Sequence, residues 1–486
     1  MNYKMMCRFF SLICLAETVF FIPALGISIF DGSSGAILGF SVAAGISLVL
    51  YVVLKYLSRS TVGVLYAKEG FVCVASAWIL MSLIGALPFV ISGAIPNFVD
   101  ALFEIVSGFT TTGASILSDV ESLPRGILYW RSFSHWVGGM GVLVFLLMLV
   151  PGGKNEGFTM HLFRAESPGP EVGKLVPKMR QTATVLYSTY IILTLLNFLF
   201  LLFGDMNVFE AVCTALGTAG TGGFGIKNDS LASYSPYIQN VTTVFMLLFG
   251  VNFSCYYLLI LRQFKSVLRD EELRLYVGIV ITSIVLITVN VFTAGNYETV
   301  GEALRHSAFQ VASIISTTGY STTNFDLWPA FSKAILLILM VTGACAGSTC
   351  GGMKCARILL IFKNLRRNIH NLLHPHRVQV VRINDKSVDE KVLTNTSGYL
   401  AAYVIILSIS FLLISLFDNF SIGTNFSAIM ACFNNIGPGF EGVGPMMNFG
   451  SYTMVSKIVL IFDMLAGRLE IFPLLLLFSS SVWKRN

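Results

Sequence analysis

Polar and charged residues collect in short segments separated by apolar runs, as at 193–203, 277–291 and 469–478 with their flanks. Ten such runs are long enough to cross a bilayer, near 9–30, 35–57, 70–92, 130–151, 182–203, 237–261, 275–294, 330–362, 396–417 and 455–480. A spanning helix needs roughly 20 apolar residues, because lipid offers no other way to satisfy the backbone of a single segment. The runs do not alternate polar with apolar positions, so they do not read as barrel strands. The first carries Glu17 and Pro23, yet nothing near it reads as a secretory cleavage site and a second apolar run follows at once, so it counts as a span. The pattern predicts an all-α polytopic membrane protein.

A second pattern lies between the spans. Four times, two spans bracket a moderately apolar segment too short to cross, and each ends in a cluster of Thr, Ser, Asn and Gly. The clusters are Thr110-Thr111-Thr112-Gly113, the stretch Gly220-Thr221-Gly222-Gly223 before Phe224, Ser316-Thr317-Thr318-Gly319, and Asn434-Asn435-Ile436-Gly437. Aligning Gly113, Gly222, Gly319 and Gly437 gives spacings of 109, 97 and 118 residues. The expected architecture is four repeats of helix, re-entrant pore loop and helix around one pore, preceded by two extra N-terminal spans. The corresponding divisions are 1–60 for those two spans, then 61–160, 161–270, 271–390 and 391–486 for the repeats.

Gly-rich backbone at membrane depth is tolerated only where it lines a cavity. Four such segments around an axis can present rings of carbonyls, which replace the hydration shell of a monovalent cation. Glycine suits this role because it reaches positive φ and adds no side chain to the path. Each short helix ends beside the ion, so its partly negative C-terminus favours a cation. The candidate ion-binding residues are Thr111, Thr112, Gly113, Thr221, Gly222, Gly223, Thr317, Thr318, Gly319, Asn434, Asn435 and Gly437.

Composition narrows the class. Hydrophobic residues make up 55% of the 486 and charged residues only 12%, about half the share of an ordinary soluble domain. The net charge of +6 matters less than its distribution. With the N-terminus inside, segments 55–69, 152–181, 262–274 and 363–395, both termini and the adjoining helix ends hold 25 of the 32 Lys and Arg. The outer side receives six: Arg125, Arg131, Lys227, Arg305, Lys333 and Lys457. That bias sets the orientation, puts both termini in the cytoplasm and brings all four clusters in from the outside. Basic inner loops also attract anionic lipid, and no basic stripe interleaved with aromatics points to nucleic acid.

Other constellations carry less. The Gly217–Gly225 stretch lacks the Lys of a phosphate loop and the βαβ context of a dinucleotide turn. Nine cysteines without paired short spacings read as packing residues. His370, His374 and His376 sit around Pro375 in a basic inner loop and read as a solvated or partner-contacting segment rather than a metal site. Two features are sharper. Gly343, Gly347, Gly351 and Gly352 interrupt the overlong eighth run, either for close helix packing or as a broken helix whose loop obstructs the path below the filter. Arg468 falls near the bilayer centre, either facing the pore or paired with an acid or carbonyls on another helix.

Taken together, the four clusters resemble the filter strands of the Trk/Ktr/HKT superfamily of potassium transporters. His135-Trp136-Val137-Gly138-Gly139-Met140-Gly141, Gly347-Ser348-Thr349-Cys350-Gly351-Gly352-Met353-Lys354 and Gly467-Arg468-Leu469-Glu470 resemble further signatures of its bacterial TrkH branch. The resemblance covers nearly the whole chain; Cys345, Cys350 and Cys355 are local departures from it. It implies a homodimer in the bacterial inner membrane with one pore per subunit, governed by a TrkA-like cytoplasmic nucleotide-binding subunit. It also implies that glycine in all four filters goes with potassium preference, that potassium is the transported ion, and that no cofactor is bound. The resulting expectation is gated potassium uptake without enzymatic activity, with Gly343, Gly347, Gly351, Gly352 and Arg468 at the gate. The rival within transport is a proton- or sodium-coupled symporter, for which Glu470 and Asp463 are the available titratable groups. An intramembrane enzyme would need a convergent Ser/His/Asp or metal constellation, which the sequence lacks.

Overall fold

The computed structural model describes residues 3–58, 67–139, 141, 179–374 and 379–480. The second half of the expected fourth span, the basic segments 59–66 and 152–178, residues 375–378 with Pro375, His376 and Arg377, and the C-terminal basic pair lie outside these residues.

Two long helices, α1 (Tyr3–Phe30) and α2 (Ser34–Leu57), form an antiparallel hairpin at the N-terminus. Four helix–re-entrant helix–helix units follow. The first is α3 (Ala67–Gly85) with the short α4 (Leu87–Ile91), the re-entrant α5 (Phe98–Phe109) and α6 (Arg125–Gly139). The second is α7 (Met179–Leu202), re-entrant α8 (Val208–Gly220) and α9 (Pro236–Phe249), continued by α10 (Phe253–Ile260) and α11 (Phe264–Arg269). The third is α12 (Glu271–Thr293), re-entrant α13 (Val300–Ile315), α14 (Ala330–Thr342) and α15 (Cys355–Leu373). The fourth is α16 (Glu390–Phe417), re-entrant α17 (Ile422–Phe433), α18 (Met454–Arg468) and α19 (Phe472–Phe478). A two-residue hairpin, Arg382–Ile383 with Lys386–Ser387, is the one strand pair among the described residues.

The re-entrant helices start where the local sequence tells them to. Asn97, Asn207, Thr299 and Ser421 each turn a side-chain oxygen onto a first-turn amide, of Val99 (2.9 Å), Glu210 (3.0 Å), Glu302 (3.2 Å) and Thr424 (3.0 Å) respectively. Such caps satisfy donors that have no partner inside the helix.

Packing closes the units into a ring. Each re-entrant helix touches the second helix of the preceding unit: α8 on α6, α13 on α9, α17 on α14, and α5 on α18. The N-terminal hairpin packs on the first unit, with α1 against α3 and α6. The outward faces of α2 and α16 remain apolar and exposed, for example at Val49, Val52, Leu412 and Leu416, as lipid-facing helices require.

Two expectations need correction. The sixth run is two helices, α9 and α10, bent by 90° at residues 250–252. The tenth run breaks at 469–471, where Glu470 and Ile471 take positive φ of 59° and 64°. Arg131 and Lys457 are buried, and each is paired with an acid: Arg131 with Glu104 at 2.8 Å and Lys457 with Asp100 at 2.7 Å. The eighth run is broken, as the second of its two readings expected.

Candidate functional site

The four clusters adopt one backbone conformation. Each re-entrant helix ends with a residue in the left-handed region: Thr111 (φ 55°), Thr221 (54°), Thr317 (54°) and Asn435 (55°). The amide of the next residue then reaches back to the helix, from Thr112 to Ser107 (2.8 Å), Gly222 to Gly217 (2.9 Å), Thr318 to Ser313 (2.8 Å) and Ile436 to Ala431 (2.9 Å). This is the six-residue closure that ends many helices, but there the left-handed position is usually glycine. A β-branched threonine there is strained, and such strain collects at functional sites.

Two residues past each of these positions stands a glycine with positive φ: Gly113 (80°), Gly223 (77°), Gly319 (85°) and Gly437 (102°). The structural equivalent in the second repeat is therefore Gly223; Gly222 matches Thr112, Thr318 and Ile436. The sequence alignment was one residue out of register there, because two adjacent glycines cannot be told apart by composition. The glycines also meet in a ring. A Cβ on Gly113 would strike the carbonyl oxygen of Gly222, one on Gly223 that of Thr318, and one on Gly319 that of Ile436. A Cβ on Gly437 would lie 2.8 Å from the carbonyl oxygen of Thr112, closing the circle. The space denied to a side chain is thus taken sideways by the neighbouring strand's carbonyl. Any substituent must displace a carbonyl of the ring.

A shell of buried polar groups braces the ring. His135 on α6 bridges two repeats: its Nδ1 lies 2.8 Å from the Gly108 carbonyl, and its Nε2 accepts from the Phe224 amide at 3.2 Å. An Nε2 that accepts leaves the ring hydrogen on Nδ1, which donates to Gly108. Arg131, one turn earlier, pairs with Glu104 inside the protein, donates to the Gly225 carbonyl (3.2 Å) and lies over the Phe224 ring (4.1 Å). Glu104 in turn accepts from Ser115 and from the Ile116 amide (3.0 Å), just past the first cluster. In the fourth repeat, Asn435 donates to Thr112 Oγ1 (3.0 Å) and to the Met464 carbonyl (2.9 Å), while Asn434 donates to the Tyr403 hydroxyl (3.0 Å). Asn434 and Asn435 therefore support the ring with their side chains.

Below the ring lies the break between α14 and α15. Gly343, Gly347 and Gly352 have positive φ of 65°, 71° and 73°. Gly351 is needed for proximity: a Cβ there would come within 2.9 Å of Asn435 Cβ, and its amide donates to Thr317 Oγ1 at 2.7 Å. The loop thus touches the ends of the third and fourth clusters. Arg468 reaches it from α18, donating to the Thr349 carbonyl (2.8 Å) and to the carbonyls of Gly138 (2.5 Å) and Gly139 (2.7 Å) at the end of α6. A helix C-terminus is a favourable place for a guanidinium. Of the two readings for Arg468, bonding to carbonyls on other elements matches this geometry, and the residue is partly buried. Glu470 pairs with Arg357 on α15, and Asp463 accepts from Ser410 at 2.7 Å. Cys345, Cys350 and Cys355 are buried and free, as packing residues.

The sequence missed Glu104, Arg131 and Ile436 as parts of the site, and left His135 without a role. Charged residues inside apolar segments flanking a Thr/Gly cluster were the available signal for Glu104 and Arg131.

Comparison with known proteins agrees with this architecture. Residues 40–485 match the sequence model of the TrkH family, described as cation transport protein. The chain is 35% identical over 492 aligned residues, spanning both chains in full, to the Trk system potassium uptake proteins TrkH of Salmonella typhimurium and Escherichia coli K12. It is 31% identical over full length to TrkH of Halomonas elongata. The crystal structure of the potassium transporter TrkH from Vibrio parahaemolyticus superposes over 100% of both chains with a TM-score of 0.85 at 29% identity. A polytopic chain matched along nearly its whole length, with the same four-unit helical architecture, belongs to the TrkH family of cation transport proteins.

Proposed function

We propose that this chain is the pore subunit of a potassium uptake system in the bacterial inner membrane, with both termini cytoplasmic. The observation that carries the reading is the closed ring of four strands, in which each glycine faces the next strand's carbonyl. Potassium, the transported substrate, sheds its water to carbonyls of Thr111, Thr112, Gly113, Thr221, Gly222, Gly223, Thr317, Thr318, Gly319, Asn434, Asn435 and Gly437, joined by Ile436. The negative ends of α5, α8, α13 and α17 favour the ion there. Beneath the ring, the loop containing Gly343, Gly347, Gly351 and Gly352 obstructs the path, and Arg468 both holds that loop and adds a fixed charge that repels cations.

Opening needs an outside input, and the family resemblance together with the basic inner face supports a TrkA-like cytoplasmic nucleotide-binding partner acting on a homodimer in anionic lipid. The test is potassium and sodium flux in liposomes of purified protein, with and without a proton gradient. Flux that follows the potassium gradient and prefers potassium supports a gated pore. Flux that requires the proton gradient moves the reading to coupled symport, with Asp463 as the first residue to replace.

A further inference from the structure

Glu272, in the first turn of α12, is a buried carboxylate that forms no ion pair among the described residues. One of its oxygens, Oε1, accepts two backbone hydrogen bonds, from the amide of Ala346 at 2.5 Å and from the amide of Ala356 at 3.0 Å. These amides stand on the two limbs of the interrupted segment between α14 and α15. Ala346 follows Gly343 on the way in, and Ala356 lies in the first turn of α15 on the way out. α15 starts without a cap of its own, because the residue before it, Lys354, makes no side-chain capping bond and has φ of 73°. First-turn amides left without partners attract an anion, and here the anion comes from a different helix. Cys355 donating to the Ala344 carbonyl (2.9 Å) and Met353 to that of Val341 (3.2 Å) tie the limbs to each other, the Cys345 amide ties the incoming limb to the Gly250 carbonyl (3.1 Å), and among the described residues Glu272 is the side chain that holds both limbs to a neighbouring span. The two residues before it face the inner hairpin. Asp270 accepts from the Asn384 side chain (2.7 Å), and the Glu271 amide donates to Asn384 Oδ1 (2.9 Å).

We propose that Glu272 is a positioning residue for transport: a latch that holds the 343–354 loop beneath the carbonyl ring by gripping both its limbs at once. This rests on the reading of that loop as the gate. A buried acceptor serving two amides couples the limbs, and removing it loosens both at once while the bonds of Thr317 and Arg468 to the loop, and the ring above, stay in place.

The experiment is potassium flux through the full-length chain in liposomes without any cytoplasmic partner, on Glu272→Ala, Glu272→Gln, a deletion within 345–352, and the deletion combined with Glu272→Ala. Glu272→Ala is expected to raise flux by roughly tenfold or more, the population change that loss of a hydrogen bond to a charged group brings. Glu272→Gln, which keeps an acceptor but not the charge, should fall between. Potassium-to-sodium preference should not change, and the combined variant should match the deletion alone. If the deletion raises flux but folded Glu272→Ala, checked by its melting temperature, transports like the parent, the latch is overturned and the gate stands. If the deletion itself leaves flux unchanged, the gate reading fails and the latch with it. A Glu272→Ala that melts lower but does not transport faster makes Glu272 a stability cap only, which also overturns the proposal.

Discussion

The ring and the layer beneath it differ in how far the four repeats agree. At the ring they are nearly interchangeable: the same capped helix, the same left-handed Thr or Asn, the same amide reaching back, the same positive-φ glycine. Beneath it the second, third and fourth repeats each go their own way. α9 turns through 90° into α10, α14 gives way to a long glycine-rich loop, and α18 breaks for three residues before α19. A ring that encloses one ion needs equivalent walls. On the proposed reading of the lower layer as a gate, one strand across the path is enough, and the other repeats are free to differ.

The bracing of the ring is itself lopsided, and this offers the hardest break. The Glu104–Arg131 pair is buried, and it ties the first cluster to the second. Arg131→Met strands a buried carboxylate and should cost about 3–5 kcal/mol, read as a lower melting temperature of the detergent-solubilised protein. Adding Glu104→Gln should recover much of that loss. If the single change is silent, the ring does not depend on this brace.

Serine at the ring glycines tests the equivalence directly. At Gly319 it must displace the Ile436 carbonyl and hold φ of 85°, a strain of about 1–3 kcal/mol. Potassium-over-sodium preference in liposomes should fall by about tenfold for each 1.4 kcal/mol lost from the ring. Gly113, Gly223 and Gly437 should behave alike. Gly222→Ser should act differently, because its Cβ would strike the His135 ring instead of a neighbouring strand's carbonyl. Unchanged preference at all four ring positions would refute the filter assignment.

In the lower layer the expectation reverses. Arg468→Ala removes bonds to three carbonyls, of Thr349, Gly138 and Gly139, and a fixed positive charge. Flux should rise with the same ion preference, at a stability cost of about 1–3 kcal/mol, because carbonyls rather than an ionised acid are left unpartnered. Loss of preference would mean the two layers are not separable. The smallest effect belongs to Arg125 on α6, largely exposed, whose 3.9 Å pair with Asp31 is a surface contact. Arg125→Ala should change stability by no more than about 1 kcal/mol and leave flux alone, which makes it the control for these substitutions.

Much of this was legible in the chain. The spans follow from apolar runs and the ring from four Thr/Asn/Gly clusters, because each is a local property of the backbone. The break at Gly343–Gly352 was visible too, as an overlong run with too many glycines for a helix. The kink at 250–252 and the break at 469–471 were not. Asn252 caps α10 within a run that composition alone shows as continuous, and the turn at Glu470 and Ile471 is held by the pairing of Glu470 with Arg357, 113 residues away.

The sequence by itself determined the class of protein, the fourfold repeat and the residues of the ring, since hydropathy and glycine act over a few residues. Only the tertiary structure decided the register at Gly223, the burial of Arg131 with Glu104, the anchoring of Arg468 on carbonyls and the grip of Glu272 on two distant amides. Those depend on which groups meet once the helices have packed, and a buried charge goes wherever a partner compensates its lost hydration, however far along the chain that partner lies.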